Sequence, residues 1–212
     1  MEPGGWRVRA QYDRLATAYD RRWHTYIARS TAETLARLPP GPDVAVLDVG
    51  AGTGLLLDHL RRERPAARLV GADLSPGMLG VARERLSHAV ALVGGDAESL
   101  PFRAARFDIV ISSSSLHYWQ DPAAGLRELA RVLRPGGHLV VTDWCHDYLT
   151  CRLLDRVLRV TDPAHHRTLG TAQLSRHLVA AGCDLVSIDR YRLNWFWGMM
   201  TAVAKKPVAN PG

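Results

Sequence analysis

Val46-Leu47-Asp48-Val49-Gly50-Ala51-Gly52-Thr53-Gly54 decides how this chain folds, because an apolar run passes there into a turn with glycine at alternate positions. From Val44 onward the run is almost continuously apolar, as a strand buried on both faces should be. The glycines end it, and their missing side chains let the backbone approach a bound molecule closely. A helix predicted from Leu55 to Arg62 points its unpaired N-terminal amides back at the turn. The dinucleotide fingerprint is G-x-G-x-x-G, whereas here the third glycine comes one residue early and position 55 is leucine; this spacing argues against NAD and flavin.

The same alternation extends outward. Strands are predicted at Arg68–Asp73, Val90–Gly94, Phe107–Ser112 and His138–Thr142. Between them, Ser75 suits a helix N-cap and Pro76 the first helical position, for a helix running to about Leu86. A second helix from Pro122 to Leu133 is stopped by Arg134-Pro135-Gly136-Gly137, where proline and glycines cannot continue it. Alternating strands and helices predict an α/β fold, a mostly parallel sheet with crossover helices on both faces. Two helices follow, near 150–160 and 171–180, and then strand-like runs Leu185–Leu193 and Trp195–Ala204. Residues 1–38 read as helix throughout, an N-terminal extension able to cover a site. One domain is expected over 1–212, with a lid (1–38), a cofactor-binding core (44–144) and a substrate-side region (145–212).

Two acids stand in register with the glycine turn. Asp73 lies 23 positions beyond Gly50 at the end of the second strand, where an acid can accept both ribose hydroxyls of an adenosine; the plainer reading is a helix N-terminal acid favoured by the dipole. Asp96, in Gly94-Gly95-Asp96-Ala97-Glu98-Ser99-Leu100-Pro101-Phe102, can accept the exocyclic amine of adenine while Ala97 offers an amide to the ring. An Asx-turn in a surface loop is the alternative.

With these residues in view, the chain resembles the class I S-adenosylmethionine-dependent methyltransferases, above all the small ubiquinone/menaquinone-biosynthesis-like branch. The motifs that carry the resemblance are V-L-D-x-G-x-G-T-G, G-A-D-L-S-P-G-M-L, G-D-A-E-S-L-P-F, F-D-I-V-x-S-S-S-S-L-H-Y-W and R-V-L-R-P-G-G-H-L-V-V-T-D. It implies a Rossmann-like, seven-stranded sheet of order 3-2-1-4-5-7-6 with the last strand antiparallel. Carried over residue by residue, Gly50, Ala51, Gly52 and Gly54 flank the methionine moiety and Asp48 supports that loop. Asp73 and Leu74 take the ribose, Asp96 and Ala97 hold adenine, and Ser113 lines the donor pocket with Ser114, Ser115 and Leu116. Tyr12-Asp13-Arg14-Leu15-Ala16-Thr17-Ala18-Tyr19-Asp20 resembles the family's Y-D-x-x-A-x-x-Y-D lid, with Tyr19 as the cofactor contact. A seven-residue spacing also places both tyrosines on one helical face, which simple packing would explain.

Methyl transfer from a sulfonium is an in-line displacement, so placing the nucleophile matters most and a base is needed only for some acceptors. His117 is the first candidate base and His146 the second, because both fall at the carboxyl ends of strands, where open α/β sheets bind ligands. A packed or solvent-facing histidine is the plainer reading of each. No metal site is expected, since Cys145, His146 and Asp147 are adjacent rather than separated pairs. Trp195-Phe196-Trp197-Gly198-Met199-Met200 reads as sheet core, or as an apolar surface for a lipid or quinone-like acceptor.

Among 212 residues the formal charge is +6, yet Lys205 and Lys206 are the only lysines and the arginines are spread along the chain. Without a dense basic block and interleaved aromatics, a nucleic-acid partner is not expected; mild attraction to an acidic substrate or surface remains. Three cysteines match no disulfide framework, and no run approaches the roughly 18–20 apolar residues of a membrane helix or a signal sequence, which together predict a cytoplasmic protein. A methyltransferase acting on a small-molecule or lipid-like acceptor is expected. A protein or RNA methyltransferase and a non-catalytic cofactor-binding scaffold are the alternatives, and monomer and homodimer both stay open.

Overall fold

Five parallel strands, β1 (Ala45–Val49), β2 (Arg68–Asp73), β3 (Ala91–Gly94), β4 (Phe107–Ser113) and β5 (Leu133–Trp144), form most of one sheet in the computed structural model, which describes residues 3–40, 44–87 and 89–208. β6 (Asp184–Arg192) and β7 (Gly198–Lys205) complete it in the order β3-β2-β1-β4-β5-β7-β6, with β7 antiparallel to both β5 and β6. This is the order that the resemblance implies. The helices are α1 (Pro3–Leu35), α2 (Leu55–Glu63), α3 (Pro76–Leu86), α4 (Pro122–Val132), α5 (Leu149–Thr161) and α6 (Thr171–Ala180).

Side-chain alternation along β1 explains the layering. Leu47 and Val49 face one core with Leu126 and Leu129 of α4 and Leu174 and Leu178 of α6, whereas Val46 faces a second core with Leu57 and Leu60 of α2. Every residue of β1 is buried, and each large side chain so enclosed stabilises the fold by about 1.5–3 kcal/mol. Ser75 caps α3 by accepting the Met78 amide, and Pro76 follows at the first helical position, as predicted.

Three predicted boundaries are corrected. β5 begins at Leu133 rather than His138: Arg134–Gly137 does not leave the sheet but bulges against β4, where the register shifts between Phe107 and Ile109. Trp195, Phe196 and Trp197 lie not in a strand but at the β6–β7 hairpin tip, because the Asn194 side chain accepts the amides of Phe196 and Trp197 in an Asx-type turn. The N-terminal helix is kinked at Trp23, whose φ of −116° and ψ of 17° are not helical.

Candidate active site

The carboxyl ends of β1, β2 and β4 open onto a cavity of about 860 Å³ that α1 closes from above. That volume lies in the upper part of the range of small-molecule sites, about 300–1,000 Å³. The glycine turn forms its floor. Gly50 has φ +77°, its amide and that of Ala51 donate to the Ala72 carbonyl, and a Cβ there would stand 2.6 Å from Ser115 Cβ. Gly52, at φ +54°, donates its amide to Asp73 Oδ2 at 2.8 Å, and a Cβ there would meet nothing within 4 Å. Gly54 has a different task from the one expected: it is buried at the start of α2, where a Cβ would press on Leu86 and Ala82 of α3 at 3.0 and 3.1 Å, and it does not line the cavity.

Tyr19, Asp48, Gly50, Ala51, Gly52, Asp73, Leu74, Asp96, Ala97 and Ser113 all line the cavity. Asp73 receives the Ser75 amide on Oδ1 at 2.8 Å; burial raises its pKa, and the amides of Ser75 and Gly52 hold part of that rise back. Asp48, only 2% exposed, is pushed up to about 7 by burial and then by the charge of Asp73. Neither acid forms an ion pair among the described residues, unlike Asp58, Asp108 and Asp155, each of which meets an arginine. Arg9, the arginine on the cavity wall, pairs with Asp13 at 3.6 Å and with neither Asp48 nor Asp73. Asp96 lines the cavity and also accepts the Glu98 amide at 3.0 Å, the Asx-turn of the plainer reading.

Beyond the turn, Ser113, Ser114 and Ser115 form the wall below α1. Ser114 sits at φ +57°, a left-handed conformation that costs a non-glycine residue about 1–3 kcal/mol. It is held there by its amide on the Thr142 carbonyl and by a 2.7 Å bond between its hydroxyl and that of Tyr26. The Tyr26 oxygen also accepts Trp144 Nε1–H at 2.8 Å. Tyr26→Phe should therefore lower stability by about 1–3 kcal/mol, because it strands a buried indole donor; an unchanged denaturation midpoint would show that the Tyr26 hydroxyl supports nothing.

Tyr12, Tyr19 and Tyr118 pack edge to face, at 5.8 Å between Tyr12 and Tyr19 and 5.2 Å between Tyr12 and Tyr118, and burial raises all three pKa values. Their hydroxyls are donors at neutral pH, not bases. The acids that follow the two lid tyrosines carry a role that the sequence reading missed. Asp13 accepts Ser75 Oγ–H at 2.6 Å and the Gly77 amide at 2.8 Å, and Asp20 accepts Thr53 Oγ1–H at 2.7 Å and pairs with Arg85. Two acids seven residues apart, like the tyrosines before them, were the available signal.

Neither candidate base stands on the cavity wall. His117 is buried, bonded through Nδ1 to Asp143 Oδ1 at 2.6 Å and stacked 3.9 Å from the Trp144 ring, so it is packed behind the wall that Tyr118 forms. His146 lies 3.9 Å from Asp155, outside the cavity lining. His166, which with His165 reads in the sequence either as the mark of a substrate loop or as nothing at all, does line the cavity; burial and the nearby Arg167 and Arg7 lower its pKa.

Residues 47–141 match the family described as methyltransferase domain. The chain is 44% identical over 111 residues to the demethylmenaquinone methyltransferase of Corynebacterium kroppenstedtii, covering 52% of this chain and 46% of that one. It is 37% identical over 142 residues to the malonyl-[acyl-carrier protein] O-methyltransferase of Hahella chejuensis, covering 65% and 50%. The match places 95 of the 212 residues with the methyltransferase domains. The methyltransferase fold extends past them: a methyltransferase structure from Mesorhizobium loti superimposes with a TM-score of 0.70 at 21% identity, over 82% of this chain and 96% of that one. The chain spans about half the length of the curated relatives it matches. Of the helices that line the cavity, α1 lies outside the matched residues; α5, α6, β6 and β7 also lie outside them, and away from the cavity.

Proposed function

We propose that this chain transfers a methyl group from S-adenosylmethionine to a small, lipid-like acceptor held beneath α1. The observation that carries the reading is the pair of acids Asp48 and Asp73, buried at the glycine turn and in no ion pair among the described residues, in a cavity that also carries apolar and hydroxyl groups. Such a cavity fits a ligand that is cationic at one end and a nucleoside at the other. When bound, S-adenosylmethionine supplies an electrophilic methyl on a sulfonium. Asp73 accepts the ribose hydroxyls, Asp96 and Ala97 meet adenine, and Asp48 supplies negative charge beside the ammonium and sulfonium. α1 excludes water, and Ser113, Ser114 and Tyr26 offer hydroxyls that orient the acceptor. Where the acceptor must lose a proton, His166 is the proposed base: it is on the cavity wall and its lowered pKa keeps it neutral at pH 7. The relatives' names, demethylmenaquinone and malonyl-[acyl-carrier protein] methyltransferases, favour a small-molecule acceptor, and the apolar walls favour the quinone-like one.

Calorimetric titration with S-adenosylmethionine and S-adenosylhomocysteine tests the donor half. Micromolar binding is expected, and Asp73→Ala should weaken it by about 1–3 kcal/mol through lost charge-assisted hydrogen bonds. Absence of binding to folded protein would refute the assignment; unchanged affinity in the variant would remove Asp73 from the ribose site. Incubation with demethylmenaquinone in detergent micelles then tests the acceptor half, with release of S-adenosylhomocysteine as the readout. Binding of the donor without such release would leave the cofactor site standing and exclude this acceptor.

A further inference from the structure

We propose that the outer face of α5, together with the β6–β7 hairpin tip, docks this chain on an anionic lipid bilayer. α5 is apolar on two sides. Its inner side places Leu154 and Leu158 against the cluster of Trp144, Leu193 and Met199, as a packed helix should. Its outer side carries Leu149, Leu153, Val157 and Val160, between 51% and 87% exposed. At 3.6 residues per turn and a rise of about 1.5 Å per residue, these four project within about 80° of arc, a continuous apolar strip roughly 17 Å long. Scattered exposed aliphatics need no explanation, but a strip this ordered does.

The charges beside the strip identify its occupant. Arg152, Arg156 and Arg159 flank it on one side, and the only acid of α5, Asp155, is buried and bonded to His165 and Arg159. The exposed face therefore carries apolar and cationic groups and no acid, the pattern of a helix lying in a membrane interface among anionic headgroups. At the helix's first turn, Cys151 donates to the Gly198 carbonyl and the Arg192 guanidinium covers the Tyr148 ring at 4.6 Å, so the hairpin is fixed to the same end. Its tip presents Trp195, 80% exposed, the side chain type that settles at headgroup level.

A second copy of the chain fits less well. A strip one side chain wide falls well short of the roughly 800 Å² per partner of a stable interface, and pairing about a two-fold axis would face arginine rows with no acids between them. No helix among the described residues is long and apolar enough to cross a membrane, which leaves docking on the surface as the lipid contact. The strip also runs toward the cavity: two residues past Val160, Asp162 accepts the Gln11 amide of α1, and His166 on the following segment lines the site. A bilayer against α5 would lie beside that wall. The value of this placement to a lipid-like acceptor rests on the proposed function, but the docking itself does not.

Flotation of the full chain with vesicles, without cofactor or acceptor, tests the docking separately from catalysis. The chain should float with vesicles of phosphatidylcholine mixed with phosphatidylglycerol, weakly or not at all with phosphatidylcholine alone, and less as salt rises. Arg152→Glu with Arg156→Glu should reduce partition by at least about fivefold for each arginine. Leu153→Ser with Val157→Ser should abolish it, and since all four positions are exposed, circular-dichroism melts should match the parent. No flotation with the mixed vesicles, or flotation unaltered by both pairs of substitutions, would overturn the proposal. So would a dimer in sedimentation velocity that Leu153→Ser with Val157→Ser splits, since the strip would then serve a second copy.

Discussion

Gly50→Ala should lower stability by about 3 kcal/mol and abolish cofactor binding. Two penalties add at this position. Alanine at φ +77° is in the left-handed region, at about 1–2 kcal/mol, and its Cβ would stand 2.6 Å from Ser115 Cβ, an overlap that forces backbone movement at about 1–3 kcal/mol. For a chain of this length the melting temperature should fall by about 6–12 °C. Gly52→Ala is the control. It shares the positive φ but its Cβ meets nothing within 4 Å, so its stability cost should be nearer 1 kcal/mol while the new methyl stands on the cavity wall and obstructs the ligand. Equal melting temperatures for the two variants would show that Ser115 does not press on the turn.

Asp48→Asn should do the opposite to the empty protein, stabilising it above pH 7 while weakening donor binding. Burial raises the Asp48 pKa from about 4 in the unfolded chain to about 7 in the folded one, so the folded state binds the proton more tightly. The destabilisation is therefore absent below pH 4, grows between pH 4 and 7, and is complete above 7. Three pH units at 1.36 kcal/mol each set its ceiling, and water in the open cavity reduces it to the order of 2–4 kcal/mol. Asparagine is close in shape and cannot ionise, so the variant should gain that stability at pH 8 and almost none at pH 4. Donor affinity of the parent should fall as pH drops below 7, because the carboxylate that faces the cationic ligand becomes neutral, whereas the variant should bind weakly with a flatter pH dependence. Chemical denaturation and calorimetry at both pH values decide it; a variant no more stable than the parent at pH 8 would mean that Asp48 is already paired in the folded chain. Stability given up at a site for the sake of a ligand is a common exchange.

The contrast between these residues and the histidines shows which features are legible in a sequence. Asp48, Gly50, Gly52 and Asp73 sit at strand ends, and strand ends follow from local signals: apolar runs, turn glycines, a capping serine with proline. The parallel sheet and its helices were readable for the same reason. The antiparallel end of the sheet was legible only as an unassigned strand pair until the resemblance supplied its order. What His117 does depends on Asp143 and Trp144, 26 and 27 residues away, which bury and stack it. No spacing rule reports a partner brought in by the fold. Gly54 misled because a positive φ looks alike whether the open side faces a ligand or, as here, α3. Trp195–Trp197 misled because aromatic residues favour strands, while one Asn194 side chain was enough to turn the chain. The pair His165-His166 suggested a substrate loop or nothing at all, and only the path of that loop decides that His166 is the one to reach the cavity.

Cys145, Cys151 and Cys183 are each at most 2% exposed, and burial raises all three pKa values, that of Cys145 to about 12. Only thiolates react at appreciable rates, so the folded chain should be silent toward alkylating reagents. Unfolding switches on three labels at once. The protein thus carries its own clock of global opening: the rate at which these thiols are captured measures how often the sheet comes apart, with no probe added and no site disturbed.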